Sequence, residues 1–409
     1  MNNKQLKILF VSADKFPPFR VDVTVLFGQE LVVRGHTIDW LLQSDKPLKH
    51  GFETQWSGGT AIVGPTDTRP SFFSRLKLHL FSILHDAKMF RILKQKKNNI
   101  ILVKDKFVSG LLAILASKIF NIKFVYWLSF PFPEDSFFRV KEKTVKYPFL
   151  YWIRGLCFHL LLYKIILPYC DYSFVQTDNM KKTIENKGLP GKKMASVPMA
   201  VSIDDVPFFG YKKECSIIKK NPVIFYLGTL IKIRRMEFLL RSFEIVLQKA
   251  KNARLFLVGG SEVLSDETDL LMESKKLGIN HAVTITGFIP QKDAWKLAEM
   301  ADVCVSPIYP SPIFNVGSPT KLLEYMAMGK ASVANDHPEQ RAVLEESSAG
   351  ICVPYDENAF AEAILYLLNN PEVATQMGIS GRDYIKQKRN YKNTASFVEK
   401  KLLQILSPH

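Results

Sequence analysis

Two series of short apolar runs organise the chain, each run followed by a segment of helix length. In the first, "KILFVSA" (7–13) reads as a buried strand, and "VTVLFGQELVVRG" (23–35) repeats its apolar residues at helical spacing before stopping at Gly35. "HTIDWLLQ" (36–43), "NIILVKD" (99–105), "KFVYWLS" (123–129) and "YSFVQT" (172–177) are the strands that follow. The second series restarts at "PVIFYLGT" (222–229) and continues through "MEFLLRSFEIVLQKA", "ARLFLVGG" (253–260) and "AVTITGFIP" (282–290). It ends with "ADVCVSPI" (301–308), "KASVAND" (330–336) and "AGICVPY" (349–355). Strands that are apolar throughout and alternate with helices predict parallel sheets covered on both faces. The fold class expected is therefore α/β, with two doubly wound, Rossmann-like domains. The change-over falls in the Pro- and charge-rich stretch 204–222. Ligands of open parallel sheets bind beyond the carboxyl ends of the strands, so function is sought in the loops that follow strands.

Length agrees, since 409 residues exceed one hydrophobic core and suit two domains. The cysteines, Cys157, Cys170, Cys215, Cys304 and Cys352, are scattered and form no CxxC pair. That argues against zinc or a disulfide framework and for a reducing compartment. The first apolar run is short and meets Asp14 and Lys15 at once, so it reads as a strand and not as a signal peptide.

The net charge of +16 is unevenly placed: residues 1–200 hold 30 Lys+Arg and 15 Asp+Glu, whereas 201–409 hold 25 and 24. A basic half suits an acidic partner, or it is surplus surface charge. No nucleic-acid-reading motif accompanies it, so no nucleic acid is expected. Residues 71–97 carry seven Lys/Arg against one Asp on a helical apolar pattern, open to two readings: a domain helix or an anionic membrane surface. Residues 147–170 are strongly apolar but broken by Arg154, His159 and Lys164; the same two readings, a membrane interface or a domain helix, are open, and burial in the core is the one expected.

The candidate chemistry gathers in "NVGSPTKLLEYMAMGK" (315–330). Ser318 is placed to cap a helix, Pro319 fits its first position, and Gly329 fits its C-terminus. The N–H groups of Thr320, Lys321 and Leu322 would face an anion, with Lys321 adding a full charge. Glu324 follows one turn on, where a carboxylate suits a sugar diol; phosphate and diol together describe a nucleotide. A capped structural helix with Glu324 paired to Lys321 is the other reading. "FYLGTLIKIRR" (225–235) ends a strand in Gly228 and then offers Lys232, Arg234 and Arg235, guanidinium groups being suited to phosphate. Gly259 and Gly260 end another strand, where a backbone approaches a ligand closely.

Read together, "LVGG", "TITGFIP", "ADVCVSP", "SPTKLLEYMAMGK" and "AGICVPYDENAFAEAI" resemble the C-terminal domain of family-four glycosyltransferases of the GT-B fold, the glycosyl transferases group 1. "KILFVSADKFPP", "GQELVVRGHTIDWL" and "CDYSFVQTDNMKKTIENKGLPGKKMASVPMAVSID" are similar to that family's first domain. The resemblance implies two Rossmann-like domains facing across a cleft. They are an acceptor-side domain over 1–205, onto which a C-terminal helix of about 390–409 packs back, and a nucleotide-sugar-binding domain over 206–389. It assigns catalytic roles to Arg234, Lys321 and Glu324. Donor contacts are Gly228, Arg235, Gly259, Gly260, the backbone of Ile289, Asn315, Gly317, Ser318, Pro319 and Thr320. Relatives carry a further glutamate at the position of Val316, so the donor sugar is left open. "FRVD" (19–22) replaces a glycine pair, and no histidine occupies the loop "WLSFPFPED" (127–135); Arg20, Asp22, Ser129 and Glu134 are the acceptor-side candidates.

The activity implied is a retaining, hexosyltransferase-like transfer from a UDP- or GDP-sugar to a glycan or lipid-linked acceptor in cell-surface polysaccharide or glycoconjugate synthesis. No cofactor and no metal are expected, because no Asp-x-Asp follows an apolar strand and the histidines lack ligand spacing. The location implied is cytoplasmic, peripheral on the inner membrane face through 71–97. The alternative is a non-catalytic nucleotide-sugar-binding protein on the same fold.

Overall fold

The computed structural model describes residues 5–66, 80–210 and 220–407. They divide into two compact units, the first reaching to Met199 and resuming at Tyr391, the second spanning Ala200–Asn390. The break precedes the expected 205/206 boundary because the intervening residues bond to the second unit. Val201 donates to Arg389 O at 2.9 Å, and Arg382 donates to Val206 O at 3.2 Å.

The first unit is built on strands β1 (Lys7–Phe16), β2 (Thr37–Ser44), β3 (Phe52–Trp56), β4 (Gly59–Gly64), β5 (Ile100–Lys104), β6 (Lys123–Leu128), β7 (Tyr172–Val175) and β8 (Met194–Ser196). Their order is β3-β4-β2-β1-β5-β6-β7-β8, parallel except for β3 against β4. The β3–β4 hairpin, which the apolar pattern does not announce, turns on Ser57 and Gly58, both with positive φ (40° and 81°). Two such residues are what a tight two-residue hairpin needs. The core is aromatic: Phe10 lies 4.7 Å from Phe27 and 5.0 Å from Trp40, and Trp127 lies 5.3 Å from Phe27 and 5.1 Å from Phe174, ring centre to ring centre. The first crossover is wound as a π-helix over Asp22–Leu31, where an α-helix was expected; Gly35, at φ 88°, ends the helical stretch. The helix Tyr391–Leu406 packs on it. Glu399 links the two, meeting Arg34 at 2.9 Å and His36 Nε2 at 2.7 Å, while His36 Nδ1 accepts from Leu6 N–H at 3.2 Å. His36 is thus structural.

One sequence expectation fails in this unit. Residues 147–170 are not core. The helix Pro148–Tyr169 buries Gly155, Leu162, Tyr163, Ile166 and Leu167 and leaves most of its other apolar residues exposed. Of the basic segment 71–97, residues 71–79 lie outside the described residues; the helix Met89–Lys96 buries Met89, Ile92 and Leu93.

The second unit orders its strands β11-β10-β9-β12-β13-β14, all parallel. These are β9 (Val223–Leu227), β10 (Arg254–Val258), β11 (Val283–Ile285), β12 (Val303–Ser306), β13 (Ser332–Asn335) and β14 (Gly350–Val353). The core joins Ile224, Leu255, Val305 and Val333 to Phe238, Leu239 and Phe243 of the helix Glu237–Lys249 and to Phe360 and Ile364 of the helix Glu357–Asn369. In both units the strand order reverses beside the first strand. Right-handed crossovers therefore go to opposite faces there and leave a crevice at the strand ends.

Candidate active site

In the second unit the reversal lies between β9 and β12. Just beyond β9, Gly228 donates to Val258 O at 2.9 Å. Gly259, at φ 130°, sits so close that a Cβ on it would lie 2.1 Å from Gly228 O. Only glycine fits this contact. Gly260 accepts from Leu230 N–H at 2.9 Å, and a Cβ on it would lie 3.0 Å from Phe288 N. The turn before Ile289 is thereby held against the two glycines.

The helix of the "SPTKLLEY" stretch is Thr320–Ala327, one residue later than expected at its start. Pro319, in extended conformation, is the capping residue and Ser318 is not, so the first turn has no side-chain cap. Gly329, at φ 75°, closes the helix and donates to Met326 O at 3.0 Å. The first-turn N–H groups have no acceptor within the helix and form its positive end.

Lys321 is buried, and its Nζ lies 4.4 Å from the centre of the Tyr226 ring and donates to the Tyr226 hydroxyl at 3.1 Å. That hydroxyl donates to Thr229 O at 3.2 Å, and Thr229 Oγ1 accepts from Arg234 Nε at 2.7 Å. Thr229 so joins the two cations. Arg234 ends a single 3-10 turn, Lys232–Arg234, and its guanidinium stacks over Phe314 at 5.9 Å. Arg235 takes the left-handed conformation, at φ 53°, and stacks over Tyr309 at 5.6 Å. Neither Arg234 nor Lys321 forms an ion pair with a described carboxylate. Burial, and then the neighbouring Arg234, push the Lys321 amine well below its usual value. Burial pushes the Glu324 carboxyl up to about 7 against the pull of Lys321. The Glu324 carboxylate accepts no hydrogen bond from a described residue, so the reading in which Lys321 pairs with it does not hold.

The loop between β12 and this helix is pinned by a buried polar cluster that the sequence reading did not single out. Asn335 accepts from Ile308 N–H at 2.6 Å and donates to Ile308 O at 2.9 Å. Gln340 donates to Ser306 O at 3.1 Å and to Asn335 O at 3.2 Å. His337, held neutral by burial, donates from Nε2 to Phe314 O at 2.8 Å. Asn315 donates to Ser311 O at 2.9 Å, Gly317 to Phe314 O at 2.8 Å, and Val316 is buried. An apolar side chain therefore packs inward at the position where relatives place an acid. The legible signal was "ND-HPEQ" (335–340), a polar run with Pro338 opening a helix.

In the first unit the reversal lies between β1 and β5, and three acceptor-side candidates meet there. Asp22 is buried between Arg20 (3.2 Å) and Lys104 (2.9 Å). Lys104, 1% exposed, also reaches Asp14 at 3.3 Å. Burial alone would raise the Asp22 carboxyl; Lys104 and Arg20 outweigh it and hold the group below its usual value. Ser129 donates its backbone N–H to Asp105 at 2.9 Å and its hydroxyl to the same carboxylate. Arg20 keeps 35% of its side chain exposed. Glu134 is occupied elsewhere, accepting from Tyr163 at 3.0 Å and pairing with Lys187 at 3.1 Å. Asp14, Lys104 and Asp105 were missed. A lysine and an aspartate ending an apolar strand were the available signal. Among the described residues no three His, Cys, Asp or Glu side chains gather to hold a metal ion.

Residues 221–370 match the family model described as glycosyl transferases group 1. An uncharacterized glycosyltransferase of Methanocaldococcus jannaschii is 26% identical over 261 residues, which is 61% of this chain and 58% of that protein. The alpha-D-kanosaminyltransferase of Streptomyces kanamyceticus is 23% identical over 38% of this chain and 39% of its own length. The chain thus spans little more than half of the first of these relatives and less of the second. Among solved structures, sucrose-phosphate synthase from Thermosynechococcus elongatus superposes with a TM-score of 0.74 at 17% identity, covering 98% of this chain and 99% of its own. Anabaena HepE, in complex with UDP and glucose, gives 0.67 at 12% identity over 98% of this chain and 100% of its own. The fold is the two-domain GT-B fold.

Proposed function

We propose that this chain, whose residues 221–370 match the glycosyl transferases group 1 model, moves a sugar from a nucleotide-sugar donor to an acceptor hydroxyl with retention of configuration. The observation that carries the reading is the pair of cations, Lys321 and Arg234. They are joined through Tyr226 and Thr229, have no carboxylate counter-ion among the described residues, and stand beside the positive end of the helix Thr320–Ala327. Two cations held without a counter-ion suit the diphosphate of a nucleotide-sugar. Gly228 and Gly259 bring the ends of β9 and β10 together beside these cations, and Glu324, one turn on from Lys321, accepts no hydrogen bond from a described residue, which suits a ribose diol.

In this reading the charge that develops on the leaving diphosphate is drawn into Arg234, Lys321 and the helix end, set in place before the reaction. The acceptor hydroxyl attacks the anomeric carbon from the face the phosphate leaves. Its proton passes to the departing phosphate oxygen, and no protein nucleophile is required. Arg20 and Ser129 are the acceptor-side groups with polar atoms at their unit's strand ends. A glycan or lipid-linked acceptor in surface polysaccharide synthesis, at the cytoplasmic side of a membrane, suits the basic first half. The test is a panel of UDP- and GDP-sugars scored by thermal shift and by donor hydrolysis, with Glu324→Ala alongside. One donor should raise Tm and be hydrolysed by the wild type alone. Binding without turnover, with or without acceptor glycans, would favour the non-catalytic reading; no shift with any donor would sink both.

A further inference from the structure

The helix Pro148–Tyr169 is, among the described residues, the one helix long and apolar enough to cross a membrane. Its inner face ties it to the first unit instead. Phe158 stacks on Phe107 of the helix Phe107–Phe120 at 4.3 Å. A Cβ on Gly110 of that helix would lie 3.0 Å from Ile166, and a Cβ on Gly155 would lie 2.8 Å from Phe137. A helix packed this closely along its length cannot cross a bilayer without leaving its unit.

Among the described residues no protein covers the outer face. Phe149 (71% exposed), Ile153, Leu156 and Leu160 form a stripe at spacings of four, three and four, flanked by Leu150 (60%) and Trp152 (48%). Apolar exposure this continuous on one helix marks an interaction surface. Its charge tells which kind. Between Lys143 and Cys170 the sequence has no Asp or Glu, yet it holds Lys143, Lys146, Arg154 and Lys164. Arg154 lies over the rings of Tyr151 (5.3 Å) and Phe158 (5.1 Å), its charge at the edge of the aromatic surface. The neighbouring helix Phe107–Phe120 extends the same pattern: it is free of acids, exposes Leu115 and Ile119, and sets Lys118 over Tyr169 at 5.6 Å. Rings and aliphatic groups on the outward face, on a stretch whose own charges are all cationic, match an anionic lipid surface: rings at the headgroup level, Lys and Arg stems reaching back to the phosphates.

We propose that the helix Pro148–Tyr169 docks the first unit on an anionic bilayer, lying along the headgroup boundary with Phe149, Leu150, Trp152, Ile153, Leu156 and Leu160 immersed. The docking surface stands apart from the sugar-transfer reading, because vesicle binding is measured on the free protein without donor.

The experiment is flotation of the full chain with vesicles of phosphatidylcholine and phosphatidylglycerol, and with phosphatidylcholine alone. The chain should float with the mixed vesicles and only weakly with the neutral ones, and added salt should release part of it. Binding should shift tryptophan emission to the blue, and Trp152→Phe should remove most of the shift, since Trp40 and Trp127 are already buried, Trp56 packs on Trp40, and Trp295 belongs to the second unit. Lys143→Gln and Lys146→Gln should each weaken partitioning about fivefold. Phe149→Ser with Leu150→Ser should weaken it at least about tenfold while Tm holds, both side chains being exposed. Equal flotation of wild type and both sets of variants would overturn the proposal. So would equal binding to neutral vesicles, or a wild type that ignores vesicles and self-associates through the same residues.

Discussion

Lys321 donates to the Tyr226 hydroxyl at 3.1 Å, a neutral partner for a buried cation. A protein interior ordinarily pairs such a charge with a carboxylate; here the charges that act on it are Arg234, of like sign, and Glu324, with no salt bridge between Lys321 and Glu324. The arrangement is poor as a stabilising contact and apt as a waiting anion site. Lys321→Met should therefore leave Tm unchanged or slightly raised, because the methionine fills the space without a desolvated amine. The same variant should bind nucleotide roughly 10- to 100-fold more weakly, the loss of one charge-assisted hydrogen bond. Calorimetric titration against thermal melts separates the two effects. A variant that melts early but binds normally would make Lys321 structural.

Glu324 predicts a pH dependence of opposite sign for stability and for binding. Its folded-state value, about 7, lies above the ordinary 4.5. Its contribution to stability is thus fully present at acid pH and is lost as pH rises from about 5 to 8. Only the carboxylate accepts from a diol, so affinity for nucleotide-sugar should rise about tenfold between pH 6 and 8. Glu324→Gln should flatten both profiles. An unchanged binding slope in that variant would assign the titration to another group.

Gly259 is constrained twice, by its φ of 130° and by the 2.1 Å that would separate a Cβ from Gly228 O. Gly188 shares the unusual φ, at 87°, but has nothing within 4 Å. Gly188→Ala should then cost about 1 kcal/mol, and Gly259→Ala about 3 kcal/mol, because backbone must move as well. Chemical denaturation of the two variants measures the difference; equal losses would show that the close approach of the two strand ends is dispensable.

Much of this was legible beforehand, for a physical reason. Parallel strands are buried on both faces, so "VIFYL" and "VCVS" announce themselves without an alignment, and the Gly–Pro punctuation around 317–329 locates a helix to within a residue. The β3–β4 hairpin was not legible, because its first strand is largely exposed and carries no apolar alternation. The outer face of Pro148–Tyr169 misled for the opposite reason: composition reports how apolar a helix is, and not whether protein covers it. Within the site, Lys321 and Glu324 were readable from local sequence. Tyr226, Thr229 and Asn335 were not, because their roles come from contacts made across the sheet.

Asn335 holds both backbone groups of Ile308 at the root of the loop that carries Asn315 to Pro319. Asn335→Ala would leave a buried N–H and C=O without partners, at a cost of about 2 kcal/mol or more. The loop would also lose its fixed entry angle. The donor KM should rise severalfold, with kcat changed less, since Lys321 and Arg234 are anchored independently through Tyr226 and Thr229. A fall in kcat at constant KM would instead place the Asn335 cluster in the chemical step.

Among the described residues Lys104 is the most deeply buried charge of the first unit, at 1% exposure, and it serves two acids, Asp14 at 3.3 Å and Asp22 at 2.9 Å. Removing it leaves Asp22 with Arg20 alone and Asp14 with a more distant guanidinium, at 3.8 Å. Breaking a buried pair from one side costs about 3–5 kcal/mol, so Lys104→Met should unfold early. Adding Asp22→Asn removes one of the stranded charges and should restore part of the loss. The pH response discriminates further. The Asp22 value is depressed in the folded state, so its stabilisation is present above the usual 3.8 and disappears as pH falls. Wild type and Lys104→Met should accordingly differ most near neutrality and converge in acid. Parallel curves across that range would mean that packing, and not charge, is what Lys104 supplies.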